Sequence, residues 1–277
     1  MTLYFTLSTE QTQNFLSRAF HPARGEFKMS EYKLGLVSIS FRKHTPEEII
    51  KAAKGAGLSC IEWGSDVHAP CKDLQRLHEI AEQQKAYGIE CSSYGTYFNL
   101  ESNPLEELPD YIKAAKMLGT KTLRLWGGSK RGADMTAEKL TIFTETCRRA
   151  AAIAEEQGVI LCLECHMRSI TETPDYAVAL MESVNSPAFR MYWQPFQWLD
   201  AKGSLEVARA VSSYTEHIHV FNWHGDRRFP LGEAVEDWKA YLTTFTTPRT
   251  LLLEFMPDDR IESLPDEADA LRKIIGG

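Results

Sequence analysis

From residue 33 onward one motif repeats along the chain: a short apolar run, a loop, an amphipathic stretch, and a glycine before the next run. The runs begin near 33, 59, 89, 121, 159, 189, 216 and 250, about 31 residues apart, which is the length of a strand-plus-helix unit. Local chemistry marks the helices between them. Thr45-Pro46-Glu47-Glu48 supplies a cap, a proline at the first helical position and the glutamate of a capping box, and Gly57 stops the helix. Asp73 to Tyr87 closes at Gly88, Pro109 to Leu118 at Gly119 and Thr136 to Gln157 at Gly158, and Thr173-Pro174 opens another helix. Eight such units close most economically into a (β/α)8 TIM barrel of the α/β class. An open doubly wound sheet would usually carry a glycine-rich phosphate loop after its first strand, and Ser38-Ile39-Ser40-Phe41-Arg42 holds none. Residues 1–28 carry isolated apolar groups (Leu3, Phe5, Phe15, Phe20) without period. They are expected to be an N-terminal extension of unknown role, with Met29 a candidate for the true start and 29–277 a single barrel domain.

Composition narrows the functions open to such a barrel. A net charge of -7 leaves no basic stripe for phosphate backbones, so no nucleic-acid partner is expected. The six cysteines (Cys60, Cys71, Cys91, Cys147, Cys162, Cys165) lack the spacing of a zinc ribbon or a disulfide framework and read as reduced core residues. No run approaches the roughly 18 apolar residues of a membrane helix, and no apolar segment precedes a small-residue cleavage site. A soluble, cytoplasmic protein without membrane partners is the expectation.

Barrel active sites sit at the C-terminal ends of the strands, so the last polar group of each run matters. The last four runs end in, or just before, Glu164, Gln194, His219 and Glu254, each able to hold a divalent ion. Carboxylates, an amide oxygen and an imidazole converging at neighbouring buried strand ends would satisfy one another through a cation. Each has an ordinary alternative. Glu164 and Glu254 could pair with a barrel arginine such as Arg124. His217 shares the strand face of His219 but lies farther from the mouth. Gln194 could merely hydrogen-bond a ligand or water. Earlier runs end in Cys60-Ile61-Glu62-Trp63, Ser92-Ser93-Tyr94-Gly95 and Leu123-Arg124-Leu125-Trp126. Trp126 and Trp223 are candidates for stacking on a sugar, whereas Trp63 and Trp193 read as core. His68 and His166 could orient hydroxyls or carry protons. Arg124, Arg168, Arg227 and Arg228 could clamp a phosphate or pair with acids.

From Lys33 to about Ile275 the chain resembles the xylose isomerase-like superfamily, which includes sugar-phosphate isomerases, ketose epimerases, inosose dehydratases and endonuclease IV. That family's Glu, Asp, His, Glu pattern over its last four strands is matched at Glu164 in Leu163-Glu164-Cys165-His166, at His219 in His217-Ile218-His219-Val220 and at Glu254 in Leu253-Glu254-Phe255. Gln194 in Tyr192-Trp193-Gln194-Pro195 stands where the aspartate is common and removes one negative charge. Gln197 stands where the ketose epimerases place a substrate-binding histidine, so epimerase specificity does not carry over. Arg227-Arg228 resembles the substrate-contacting loop after the seventh strand. The resemblance implies one divalent metal ion (Mn, Mg, Co or Zn), a small-molecule carbohydrate substrate and a possible homodimer. It also implies proton transfer beside a carbonyl by Glu164 and Glu254 in a sugar or sugar-phosphate isomerase or epimerase. The alternatives are an inosose-type dehydratase, with His166 or His68 as acid, and a non-catalytic sugar-binding barrel. The acidic balance and scarcity of strand-end histidines disfavour an endonuclease IV-type site.

Overall fold

Thr45 accepts the Glu48 backbone N–H while the Glu48 carboxylate accepts the Thr45 N–H at 2.7 Å, so the first helix starts where its capping box predicts. Asp73 and Thr136 cap two further helices by accepting the Arg76 and Lys139 N–H groups, and Gly88, Gly119 and Gly158 each end a helix in the left-handed conformation. The computed structural model describes residues 31–247 and 249–276, and the segment read as an extension lies outside the described residues.

The strands are β1 (Lys33–Val37), β2 (Cys60–Gly64), β3 (Glu90–Asn99), β4 (Thr122–Trp126), β5 (Ile160–Glu164), β6 (Phe189–Trp193), β7 (Thr215–Val220) and β8 (Thr250–Leu253). They pair in parallel in the closed order β1-β8-β7-β6-β5-β4-β3-β2. The helices are α1 (Pro46–Gly55), α2 (Leu74–Tyr87), α3 (Leu108–Leu118), α4 (Ala137–Gln157), α5 (Pro174–Val184), α6 (Ala201–Val211), α7 (Val235–Leu242) and α8 (Leu264–Ile274). A two-residue antiparallel ribbon, Trp223–His224 against Arg227–Arg228, follows β7.

The main core lies between sheet and helices, where side chains such as Ile49, Ile61, Leu77, Leu123 and Leu161 are fully buried. Each is worth about 1.5–3 kcal/mol of burial. A second, smaller cluster (Val37, Ile39, Cys60, Cys162, Tyr192, Leu252) plugs the barrel interior. All six cysteines have free thiols, with Cys71 and Cys91 only half-buried. No helix among the described residues is long and apolar enough to cross a membrane.

Candidate active site

Side chains alternate along a strand, so the residues two positions beyond the interior plug point into the barrel one layer nearer its mouth. Cys60 leads to Glu62, Cys162 to Glu164, Tyr192 to Gln194 and Leu252 to Glu254, while β4 adds Arg124 and β7 adds His219. All six are buried. On β3 the layer is filled by Gly95, and the vacancy is used: a Cβ there would lie 2.7 Å from Glu62 Oε1 and 3.1 Å from Arg124 Nη2. Glycine makes room for a buried ion pair.

Arg124 donates to Glu62 Oε1 through Nε at 3.0 Å and to Glu164 Oε2 through Nη1. Ser93 donates to the other Glu62 oxygen at 2.8 Å. His219 sits between two groups of acceptors. Its Nε2 faces Glu62 Oε1 at 3.5 Å, and its Nδ1 faces Glu254 Oε2 at 3.3 Å, Glu164 Oε1 at 3.7 Å and Gln194 Oε1 at 3.2 Å. The Gln194 amide donates to the Cys165 carbonyl at 3.1 Å, which turns its oxygen toward the cluster. The Arg124 pairing foreseen for both strand-end glutamates is thus realised for Glu164, while Glu254 makes no direct pair with it and Glu62 takes that place.

Burial would raise the Glu62 carboxyl, but the charges of His219 and Arg124, with the hydrogen bond from Ser93, hold it at about 2. Burial opposes ionisation of Glu164 as well, and Arg124 followed by His219 overrides it, keeping that carboxyl well below the usual range. The imidazole of His219 would be driven neutral by burial; Glu254 and Glu62 instead raise its pKa well above the ordinary value. Three buried carboxylates thus face one guanidinium and one imidazole. With a neutral imidazole, a divalent cation would bring the cluster to neutrality.

Ligand atoms from Glu164, His219 and Glu254 all lie within 4.8 Å of one another. Among the described residues Glu254 Oε2 and His219 Nε2 have no hydrogen-bond partner. Two carboxylates, an imidazole and an adjacent amide oxygen are a fitting donor set for a divalent ion. Glu62 suits the outer position: by facing Nε2 it favours the tautomer that leaves Nδ1 free toward the other two acids. The carboxylates that hold a proton on His219 would hold a cation in its stead.

The rim is aromatic. Trp126 and His166 meet edge to face with centroids 4.4 Å apart, Tyr97 lies 6.1 Å from Trp126, and the Trp126 Nε1 has no partner among the described residues. Trp223 packs edge-on against Phe255 at 5.0 Å and its Nε1 is likewise unpartnered. The arginine pair divides. Arg228 lies over Trp223 at 4.8 Å and pairs with Asp259, whereas the exposed Arg227 lies over Phe229 at 5.3 Å. Gln197 takes part through its backbone, accepting the Gly225 N–H at the ribbon's tip at 2.7 Å. Trp63 and Trp193 are core, Trp63 donating to Gln84 at 2.6 Å.

His68 is a correction. It is fully buried, with Nδ1 3.1 Å from Ser38 Oγ and Nε2 3.2 Å from the His44 carbonyl, and has no surface to offer a substrate. Burial, opposed by the His44 and Phe41 carbonyls, lowers its pKa to about 4, so it is a neutral structural tie between the first two strand ends. Sequence reasoning missed Glu62 and Gly95 as members of the charged layer, although both stand at strand ends. It also missed Thr171, whose buried hydroxyl donates to the Glu164 carbonyl and receives the His166 N–H at 3.3 Å. No spacing rule points to a loop threonine.

The site is thus a buried charged layer under an aromatic rim at the C-terminal mouth of a closed parallel (β/α)8 barrel. The chain belongs to the xylose isomerase-like TIM barrel family, whose family model matches residues 50–274. It is 26% identical over 171 residues to the human protein named "Putative hydroxypyruvate isomerase", covering 58% of this chain and 56% of that one. The chain therefore spans just over half the length of that relative. Among solved structures it is similar to the probable 3-DHS dehydratase AsbF of Bacillus anthracis, with TM-score 0.72 and 17% identity over 86% of this chain and 98% of that one. It is also similar to a xylose isomerase-like TIM barrel protein of Mycobacterium smegmatis in complex with magnesium, with TM-score 0.67 and 13% identity over 90% and 98% of the two chains.

Proposed function

We propose that the protein is a divalent-metal-dependent isomerase that moves a proton next to the carbonyl of a small sugar, sugar phosphate or hydroxy-keto acid. The observation that carries this reading is the convergence of Glu164, His219 and Glu254 within 4.8 Å, with one Glu254 oxygen free of hydrogen bonds. The human relative's name and the family are consistent with isomerase chemistry on a carbohydrate. Magnesium in the Mycobacterium structure agrees with an oxygen-rich site.

Glu164, His219 and Glu254, with Gln194 beside them, would hold the ion. Bound there, it would supply Lewis acidity at a substrate carbonyl and stabilise negative charge on that oxygen. The remaining work falls to the chain. Glu254 is the better base, because its Oε2 accepts no hydrogen bond, whereas Arg124 engages Glu164 directly and holds it ionised. In the step written out, a Glu254 oxygen takes the α-proton and the C–H electrons form the C=C bond of an enediol(ate). The same glutamate returns the proton to the adjacent carbon, the former carbonyl carbon, while a hydroxyl proton moves between the two oxygens. One base serving both carbons gives aldose–ketose isomerisation, and a glutamate on each face would give epimerisation. Arg124 at Glu164 favours the first route. Trp126 and Trp223 flank the substrate, and Thr171 fixes the strand end bearing Glu164.

The test is proton exchange into D2O, followed by ¹H NMR, with Mn²⁺ or Mg²⁺ and a panel of hydroxypyruvate, ketotetroses to ketohexoses and their phosphates. Loss of an α-proton signal with wild-type protein, and its persistence with Glu254→Gln, is the expected result. Failure to exchange any α-proton on the panel with either metal overturns the proposal.

A further inference from the structure

Strand β8 leaves the barrel through an unfavourable conformation: Phe255, directly after Glu254, has φ of 57°. A bulky aromatic residue in the left-handed region is an outlier that persists only where its surroundings hold it. The surroundings here are specific. The Phe255 N–H donates to Ser40 Oγ at 3.1 Å, tying the turn to the loop after β1. Its ring meets Trp223 edge-on, with centroids 5.0 Å apart and planes at 82°. Arg228 Cζ lies 5.2 Å from the Phe255 centroid and 4.8 Å from that of Trp223, so the guanidinium contacts both rings. Arg228 also donates to the Met256 carbonyl at 3.2 Å and pairs with Asp259.

These contacts join two pieces of the mouth. One is the ribbon Trp223–Arg228, turned at Gly225 with φ of 56°. The other is the end of β8, where the Glu254 N–H donates to the Val220 carbonyl at 3.0 Å while its carboxylate faces His219. The left-handed turn at Phe255 delivers the ring to the ribbon immediately after Glu254 has been directed into the barrel. An extended residue there would continue the strand.

We propose that Phe255 is a positioning residue that couples the Trp223–Arg228 ribbon to the orientation of Glu254, so that the substrate-facing loop and the proposed base are held as one unit. Its catalytic meaning rests on the proposed function; the coupling itself does not.

The test compares Phe255→Gly, Phe255→Leu, Phe255→Tyr and Ser40→Ala by hydrogen exchange, with Mn²⁺ titration as a second readout. Glycine adopts positive φ freely, so Phe255→Gly removes the ring while relieving the backbone. Tyrosine keeps the ring. Amides of the ribbon and of Glu254 are expected to exchange about tenfold faster in Phe255→Gly and Phe255→Leu, and within about twofold of wild type in Phe255→Tyr. Ser40→Ala should fall between. Mn²⁺ affinity should drop about fivefold in Phe255→Gly, with rescue in Phe255→Tyr, a pattern that a merely structural role would not produce. Ribbon and Glu254 amides that exchange as in wild type in the Gly and Leu variants overturn the inference, as does equal acceleration in Phe255→Tyr. If Phe255→Gly does not fold, the Leu and Tyr pair decides the same question. Wild-type protein that binds no Mn²⁺ would defeat the proposed metal function, while the exchange comparison would still decide the coupling.

Discussion

Replacing Arg124 with methionine tests the charged layer at its most compact point. The guanidinium is 2% exposed and lies between carboxylates that are 0% and 5% exposed, so Arg124→Met leaves Glu62 and Glu164 buried without their common counter-charge. Glu62 sits at about 2 in the folded protein against an ordinary 4.5. A depression of that size is worth about 3 kcal/mol of stability at neutral pH, shared among His219, Arg124 and Ser93. Glu164 is lowered too, with Arg124 the largest favourable contribution. Breaking a buried pair by removing one partner typically costs about 3–5 kcal/mol, and this arginine serves two acids, so a loss of about 4 kcal/mol is expected at pH 7.5. Urea unfolding followed by circular dichroism, in EDTA so that adventitious metal does not mask the effect, measures it. The variant carries a further signature. Without Arg124 the two carboxyls should have raised folded pKa values, so that they bind protons more readily in the folded than in the unfolded chain. Their penalty should shrink as pH falls toward 5, and the gap between variant and wild type should narrow. The double variant Glu62→Gln/Arg124→Met should lose less than the sum of the single losses. A loss under about 1 kcal/mol at pH 7.5, or one unchanged at pH 5, would refute the burial-and-pairing reasoning.

Glu267 gives a pH prediction of definite sign: it is 5% exposed, burial raises its pKa to about 7, and its carboxylate accepts the Leu231 N–H. A folded pKa above the unfolded value favours the folded state at low pH and loses that advantage as pH rises from about 4.5 through 7. Wild type should therefore lose about 3 kcal/mol between pH 4.5 and pH 8 relative to Glu267→Gln, read from paired denaturation curves; parallel curves would exclude it. Gly95→Ala should cost about 1–3 kcal/mol in thermal melts, because its Cβ would meet Glu62 Oε1 at 2.7 Å; an unchanged Tm would show that the pair has room to move. In the D2O exchange assay Trp126→Ala should raise KM more than it lowers kcat, whereas Glu254→Gln should lower kcat. The reverse split would move Trp126 from substrate contact to support of the base.

The architecture was legible because parallel barrel strands are buried on both faces and stand out as apolar runs. Expected starts at 59, 121 and 159 lie one residue before Cys60, Thr122 and Ile160, and Thr45, Asp73 and Thr136 cap the helices they were expected to open. Glu164, His219 and Glu254 were legible for a related reason: a polar group ending a buried strand must meet a partner, and ring order makes these groups neighbours. The partners themselves were not. Glu62 looked like another strand-end acid, and only the closed sheet brings it across the barrel to Arg124 and His219. Gly95 has no side chain to signal that it clears space for that pair. His68 reads as a candidate substrate contact because residues on loops at a barrel mouth are usually accessible, and nothing in the local sequence shows that Ser38 and the His44 carbonyl cover both ring nitrogens. Phe255 was invisible for the opposite reason, since its left-handed conformation contradicts the preference of its own residue type.

The most direct test of the central claim is metal stoichiometry in the purified protein, measured by elemental analysis before chelation and after reloading with Mn²⁺, Mg²⁺, Co²⁺ or Zn²⁺, with Glu254→Gln alongside. Binding of one ion per chain in the wild type, with binding lost or greatly weakened in Glu254→Gln, is the predicted result. Wild-type protein that takes up none of the four ions in excess would contradict it, leaving Glu62, Arg124, Glu164, His219 and Glu254 as a self-contained buried ionic network.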